Sequence, residues 1–229
     1  MAPKKPFKKK QSALIKRVKA LEIKQKADDK NTERKVQYHR EVQSLTNIWA
    51  SYGSFICRTN QGTSGENVGS AVGTSRIGNS VNLRSQRFNF YLYSPKNSDG
   101  IVVEPDTGVM CRVMLVDNLS DDTTLTASDV LQDTSYKFSS PLKNAVAGGK
   151  RYRVLMDKKI KLTGRRPDHT WSFKMKLPKS GRVLHYNNNA AYNPSDCNIS
   201  IIYACSDVST LSPNKPILNM FSIGRFEDC

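Results

Sequence analysis

From about residue 47 onward the chain carries short runs of β-branched and aromatic residues separated by Gly, Pro, Asn, Asp and Ser. Residues 48–58 (IWASYGSFICR) predict a first strand or two. Residues 62–80 are Gly/Ser-rich and predict a loop. Residues 81–93 (VNLRSQRFNFYLY) alternate at Val81 and Leu83, then in the other phase at Phe88, Phe90 and Leu92. The change of phase near Arg84–Arg87 predicts a bulge or bend. Residues 109–117 (VMCRVMLVD) are nearly continuously apolar, as in a strand buried on both faces. Residues 126–133 predict a short helix, and residues 151–162, 170–177, 182–186, 198–206 and 216–226 predict further strands. Eight or so strands result, without the 10–15-residue helices that a parallel α/β fold needs between them. The expected fold class is all-β: an eight-stranded antiparallel jelly-roll sandwich with a basic, partly helical N-terminal arm.

The N-terminal stretch is patterned differently. Residues 1–10 (MAPKKPFKKK) hold two prolines and five lysines and no apolar run. Self-repulsion predicts disorder there in the absence of a partner. Residues 12–27 predict a helix, with Ser12 as its cap and Leu14, Val18 and Leu21 recurring at i, i+4, i+7. Three apolar residues on one side do not hold a lone helix folded. Residues 28–46 are polar and charge-mixed and read as a linker or helix extension. The expected organisation is an arm over 1–46 and a jelly-roll domain over 47–229.

Charge sharpens this division. The chain carries a formal net charge of +16. Residues 1–40 hold 14 Lys/Arg against four Asp/Glu, a net +10 in under a fifth of the length. Such a basic tail calls for an anionic partner, nucleic acid or an acidic membrane surface. The helical stretch has no Trp or Phe to sit in a lipid interface, which favours nucleic acid. The candidate binding residues are Lys4, Lys5, Lys8, Lys9, Lys10, Lys16, Arg17, Lys19, Lys24 and Lys26. Phe7 is the one aromatic among the first 37 residues, so this tail reads phosphate charge and not base stacking. The same lysine runs also fit a nuclear import signal.

Other chemistry is sparse. The five cysteines (Cys57, Cys111, Cys197, Cys205, Cys229) form no C-x-x-C pair and have no histidines spaced for zinc. They read as thiols of a reducing compartment. No secretory leader or membrane span is evident, so the sequons at Asn118 and Asn198 are expected to be unused. No nucleophile elbow, zinc-protease helix or phosphate loop is present, and an enzyme is not expected. Asp117, Asp121 and Asp122 crowd into six residues and are candidate calcium ligands, shared between subunits; the competing reading is a solvated acidic loop. Trp49, Tyr52, Tyr192 and Tyr203 are candidates for contacts between subunits, with the domain's own core as their other place.

Three stretches carry a family resemblance. Gly78-Asn79-Ser80-Val81-Asn82-Leu83 resembles the lead-in to the first core strand of the single jelly-roll coat proteins of satellite tobacco necrosis virus and of circular single-stranded DNA viruses. Arg112-Val113-Met114-Leu115-Val116-Asp117, followed by a short helix at Asp129-Val130-Leu131, is similar to their second core strand. Arg151-Tyr152-Arg153-Val154-Leu155-Met156-Asp157-Lys158 resembles the strand after that helix. The resemblance spans roughly residues 10–206 and rests on order and spacing; the last ~20 residues match no such motif. It implies a capsid protein that assembles with itself into an icosahedral T=1 shell of 60 copies. It also implies a single-stranded genome, DNA ahead of RNA, held by the basic arm inside the virion, with assembly in the host nucleus or cytoplasm. No cofactor is implied beyond calcium at subunit interfaces. The alternative from the residues alone is a non-viral, basic-tailed β-sandwich that binds nucleic acid without forming a shell.

Overall fold

The computed structural model describes residues 17–21, 35–53, 55–56, 76, 78–94, 108–143, 152–188, 191, 193–206 and 215–229. The chain divides into two compact units, Met1–Arg34 and Lys35–Cys229. In the first, residues 17–21 are helical and exposed, Val18 and Leu21 among them. The rest of the predicted 12–27 helix, and the expected disorder of 1–10, lie outside the described residues.

Among its described residues the second unit has nine strands, β1 (Lys35–Ser44), β2 (Ala50–Tyr52), β3 (Ser80–Tyr93), β4 (Val109–Asn118), β5 (Tyr152–Leu162), β6 (Asp168–Lys174), β7 (Arg182–His185), β8 (Asn198–Cys205) and β9 (Ile217–Asp228), and one helix, α1 (Ala127–Val130). One sheet has the order β1-β9-β3-β6, with β7 also on β3; the other has the order β2-β8-β4-β5. All pairings are antiparallel. β6 pairs with Arg87–Tyr93 of β3 and β7 with Ser80–Leu83, so the two occupy one strand position in succession. Eight strand positions in two sheets of this order, with the chain passing back and forth between them, make a jelly roll.

The alternating residues of β3 drive the sandwich together. Val81, Leu83, Phe88, Phe90 and Leu92 are buried in one core with Val113 and Leu115 of β4, Ile201 of β8 and Leu218 of β9. Phe90 stacks on Trp171 at 4.9 Å between ring centroids. The predicted phase change is a register shift between Leu83 and Ser85 against β9. It turns the inward series from odd to even positions.

β4 is buried on both faces because both are covered. Its inward residues enter the main core. Met114 and Val116 meet Leu125, Ala127, Val130 and Leu131 of the connection between β4 and β5, which folds back over the outer surface of the sheet. Each fully buried aliphatic chain there contributes about 1.5–3 kcal/mol. The Asp129 carboxylate accepts the Thr126 backbone N–H at 2.9 Å, which caps α1. Arg112, buried on the same side, donates to both oxygens of Asp157 at 2.9 and 2.7 Å and to the carbonyls of Lys137 and Ser140. This clasp pins the connection to the sheet.

The structure corrects one assignment. Lys35–Ser44, read from sequence as the end of a linker or helix extension, is the edge strand β1, paired with β9 over ten positions. The body therefore begins at Lys35 and not at residue 47. The misreading has a physical cause: the side chains turned away from the exposed face are Lys35, Gln37, His39, Glu41 and Gln43, and the alternating Val36, Tyr38 and Val42 share the outward face with Arg40, so no core-facing apolar series marks the strand. Backbone pairing and polar contacts hold it instead, including a 2.5 Å ion pair from Lys35 to Asp228. The segment 48–58 supplies only the short β2 and the buried Phe55 and Ile56 among its described residues.

Candidate nucleic-acid interface

Of the ten basic residues singled out in the arm, Arg17 and Lys19 are described, exposed on the helical stretch 17–21. Lys4, Lys5, Lys8, Lys9, Lys10, Lys16, Lys24 and Lys26 lie outside the described residues.

The body presents a second basic surface. In the sheet β1-β9-β3-β6, residues that alternate with the core positions face outward. Cross-strand register arranges them in rows. One row runs Tyr38, Ile223, Arg87, Lys174; the next runs Arg40, Phe221, Asn89, Ser172; a third runs Val42, Asn219, Tyr91, Thr170. Arg40, Arg87, Lys174 and Arg225 are exposed on this face. So are Tyr38, at 58% of its full accessible surface, and, less fully, Tyr91 and Phe221. Tyr38 stacks beside Phe221 at 5.7 Å, and Tyr91 beside Tyr93 at 5.0 Å. The four cations form no ion pair with a carboxylate among the described residues. Asp168, at the rim of the face, accepts from the Tyr91 hydroxyl at 3.3 Å. Glu41 lies in the alternate set of β1 beside His39 and Gln43. Sequence reading missed this surface. Its members come from strands 35–44, 80–93, 168–174 and 217–228, and only the pairing of the two chain ends brings them side by side.

The three aspartates considered for calcium do not converge. Asp117 is fully buried, and its Oδ2 accepts from Arg182 Nη1 at 2.8 Å and Arg153 Nη2 at 3.0 Å. Asp121 closes a local turn, accepting from Asn118 Nδ2 at 2.7 Å and from the Thr123 backbone N–H at 2.9 Å. Asp122 offers its backbone carbonyl to Asn198. Among the described residues no three His, Cys, Asp or Glu side chains are grouped to hold a metal ion.

Three of the four aromatics weighed for subunit contacts pack within the domain. Tyr203 is buried, and its hydroxyl hydrogen-bonds Gln43 Oε1 at 2.9 Å. Burial foremost, with the nearby Glu41 charge, pushes its pKa up to about 12. Trp49 donates its indole N–H to the Thr134 carbonyl, and Tyr52 lies against Phe55. Tyr192 is outside the described residues. Cys111, Cys197 and Cys205 are buried thiols and Cys229 an exposed one; Cys57 is not among the described residues. Burial raises the Cys197 thiol well above its ordinary pKa. The sequon asparagines, Asn118 and Asn198, face each other in the β4/β8 ladder and are buried, where no glycan fits. No described helix is long and apolar enough to cross a membrane.

No family model matches the chain, and no curated protein matches it. Among solved structures, it is similar to one from Desmodium yellow mottle tymovirus, at 8% identity and a TM-score of 0.40 over 85% of this chain and 88% of that one. A structure from turnip yellow mosaic virus is similar at 8% identity and a TM-score of 0.41, over 86% and 95%. The semi-empty VLP of a nodavirus of the giant freshwater prawn Macrobrachium rosenbergii follows at 9% identity and 0.36, over 86% and 85%. The jelly-roll assignment rests on the strand order described above.

Proposed function

We propose that this chain is the coat protein of a small icosahedral virus, forming a shell from copies of itself and holding a single-stranded genome through its basic N-terminal arm. The observation that carries the reading is the junction of two unlike parts: a jelly-roll body that begins at Lys35, preceded by 34 residues that hold twelve Lys/Arg against four Asp/Glu. A tether that neutralises phosphate and a tile that meets its neighbours divide the two tasks a shell protein performs. Ile48 and Tyr136, 71% and 65% exposed, offer apolar surface for lateral contacts. Trp49 and Thr134, close neighbours of these residues in sequence, are joined by a hydrogen bond, which brings the two loops together. A calcium ion between subunits would need Asp121 or Asp122 together with ligands from another copy, since Asp117 is fully buried with two arginines on its Oδ2. The resemblance to coat proteins of circular single-stranded DNA viruses favours a DNA genome and a shell of 60 copies.

Negative-stain microscopy of the purified full chain tests the reading. Closed, uniform shells whose mass corresponds to 60 chains are expected, with copurified nucleic acid that resists nuclease until the shell is opened. Monomers at high concentration, with and without nucleic acid, would overturn it and leave a basic-tailed β-sandwich that coats nucleic acid without a shell.

A further inference from the structure

We infer that the outward face of the β1-β9-β3-β6 sheet is a second nucleic-acid site, which takes unpaired bases on Tyr38, Phe221 and Tyr91 and their phosphates on Arg40, Arg87, Lys174 and Arg225. The inference deepens the proposed function, since it gives the packaged strand a seat on the body in addition to the arm.

The chemistry of the face sets its ligand. Four exposed cations share it without a carboxylate partner among the described residues, and the one acid at its rim, Asp168, is engaged by the Tyr91 hydroxyl. Exposed cations at strand centres keep most of their hydration and are available to a polyanion. The rings adjoin the cations: Phe221 is register partner to Arg40, Tyr38 stands two residues before Arg40 on β1, and Ile223 separates Tyr38 from Arg87, which is partner to Lys174. Of the six other positions in the three rows, Asn89, Asn219, Ser172 and Thr170 carry groups that donate and accept hydrogen bonds, and Ile223 and Val42 are apolar. Cations interleaved with flat aromatic surfaces and amides are the equipment of surfaces that bind single strands, where any base offers a π-face and the backbone tracks positive charge. Adjacent strands lie about 4.8 Å apart and alternate residues about 6.8 Å apart, so the three rows have room for two or three bases, as in sheet-face RNA readers. A duplex hides its base faces and gains nothing from the rings.

A second copy of the chain is a poorer occupant. Two such faces brought together would set unpaired cations against cations. The arm and the face also read different features of the same polymer. The arm, with one aromatic in its first 37 residues, responds to charge alone. The face responds to bases.

That difference supplies the test on the full-length chain. Its affinity is measured for a thymidine oligonucleotide and for an abasic oligonucleotide of equal length and charge. The Tyr38→Ala/Phe221→Ala variant should bind the thymidine strand at least about fivefold more weakly and the abasic strand unchanged. Both residues are exposed, and an unchanged melting temperature checks the fold. Photocrosslinking to a bromodeoxyuridine strand should label peptides from Lys35–Ser44 and Ile217–Asp228. Crosslinks confined to residues before Lys35, or equal affinity of variant and parent for the thymidine strand, would overturn the proposal. So would a variant that loses self-assembly while its oligonucleotide binding stands, which would make the face a contact between copies. Phosphatidylserine vesicles that bind through these residues in place of the oligonucleotide would likewise overturn it. Replacing the arm lysines with glutamine separates this idea from the arm assignment. It should weaken both oligonucleotides alike and leave the base-dependent difference intact.

Discussion

The Asp117 carboxylate, fully buried, accepts a 2.8 Å hydrogen bond from Arg182 Nη1, and so ties β4 of one sheet to β7 of the other. Asp117 continues the inward series Cys111, Val113, Leu115 to the end of its strand, where the core gives way to charge. Burial works to lower the pKa of the Arg182 guanidinium, but Asp117 foremost, with the neighbouring Asp196, outweighs it and holds the group charged. Arg153, the register partner of Asp117 on β5, donates to the same oxygen. Arg182→Met should destabilise the fold by about 3 kcal/mol, because it leaves a buried carboxylate short of a partner. Asp117→Leu/Arg182→Met should recover most of that loss. Urea denaturation of the three proteins checks both statements.

Arg112 holds the covering connection in place, so its loss should be felt locally before it is felt globally. Arg112→Ala removes two bonds to Asp157 and those to the Lys137 and Ser140 carbonyls. A cost of about 3–5 kcal/mol is expected for breaking such a buried pair from one side. Hydrogen exchange should rise first in residues 119–143, with β3 and β9 protected until global unfolding.

Deletion of residues 1–26 tests the arm. The shortened chain should keep its β-sheet circular dichroism, since every strand of the body begins at Lys35 or later. It should lose packaged nucleic acid and most of its salt sensitivity. For the full chain, an arm with about ten phosphate contacts predicts a fall of about 10³–10⁵-fold in affinity between 50 and 200 mM salt. Retained nucleic acid with an unchanged salt slope would contradict the assignment.

Tyr203 gives the alkaline limb of stability. Its folded pKa, about 12, lies above the ordinary tyrosine value. The unfolded chain therefore releases this proton first, and the stabilisation is complete below about pH 10 and lost as pH rises toward 12. Tyr203→Phe should flatten that part of the profile, read by thermal melting at successive pH values. It should also lose the bond to Gln43, which lowers the neutral-pH plateau by about 1 kcal/mol.

Ile48→Asp with Tyr136→Asp tests the lateral contacts. Both side chains are exposed, so the variant should fold with little change in melting temperature. Two carboxylates on a surface that must be dried at a subunit contact should stop assembly, seen as loss of shells by light scattering.

Much of the body was legible in the residues. The alternation in 81–93 with its phase change and the continuous run of 109–117 appear where periodicity places them, because each buries apolar side chains at its own characteristic period; the helix expected over 126–133 is the single turn Ala127–Val130. The edge strand Lys35–Ser44 was not legible, because its inward side chains are polar and its apolar ones, Val36, Tyr38 and Val42, lie on the other face; its partner β9 and contacts such as Lys35 with Asp228 hold it.

The sequence by itself determined the all-β class, the approximate strands and the concentration of positive charge ahead of them. These follow from local periodicity and composition, which need no partner from elsewhere in the chain. Only the tertiary structure decided that Asp117 answers to arginines and not to Asp121 and Asp122. It alone set Arg40, Phe221, Arg87 and Lys174 on one surface. The first depends on β4 facing β7 across the sandwich and on its pairing with β5, the second on strand pairing between residues as far apart as 35 and 226, relations that no local pattern encodes.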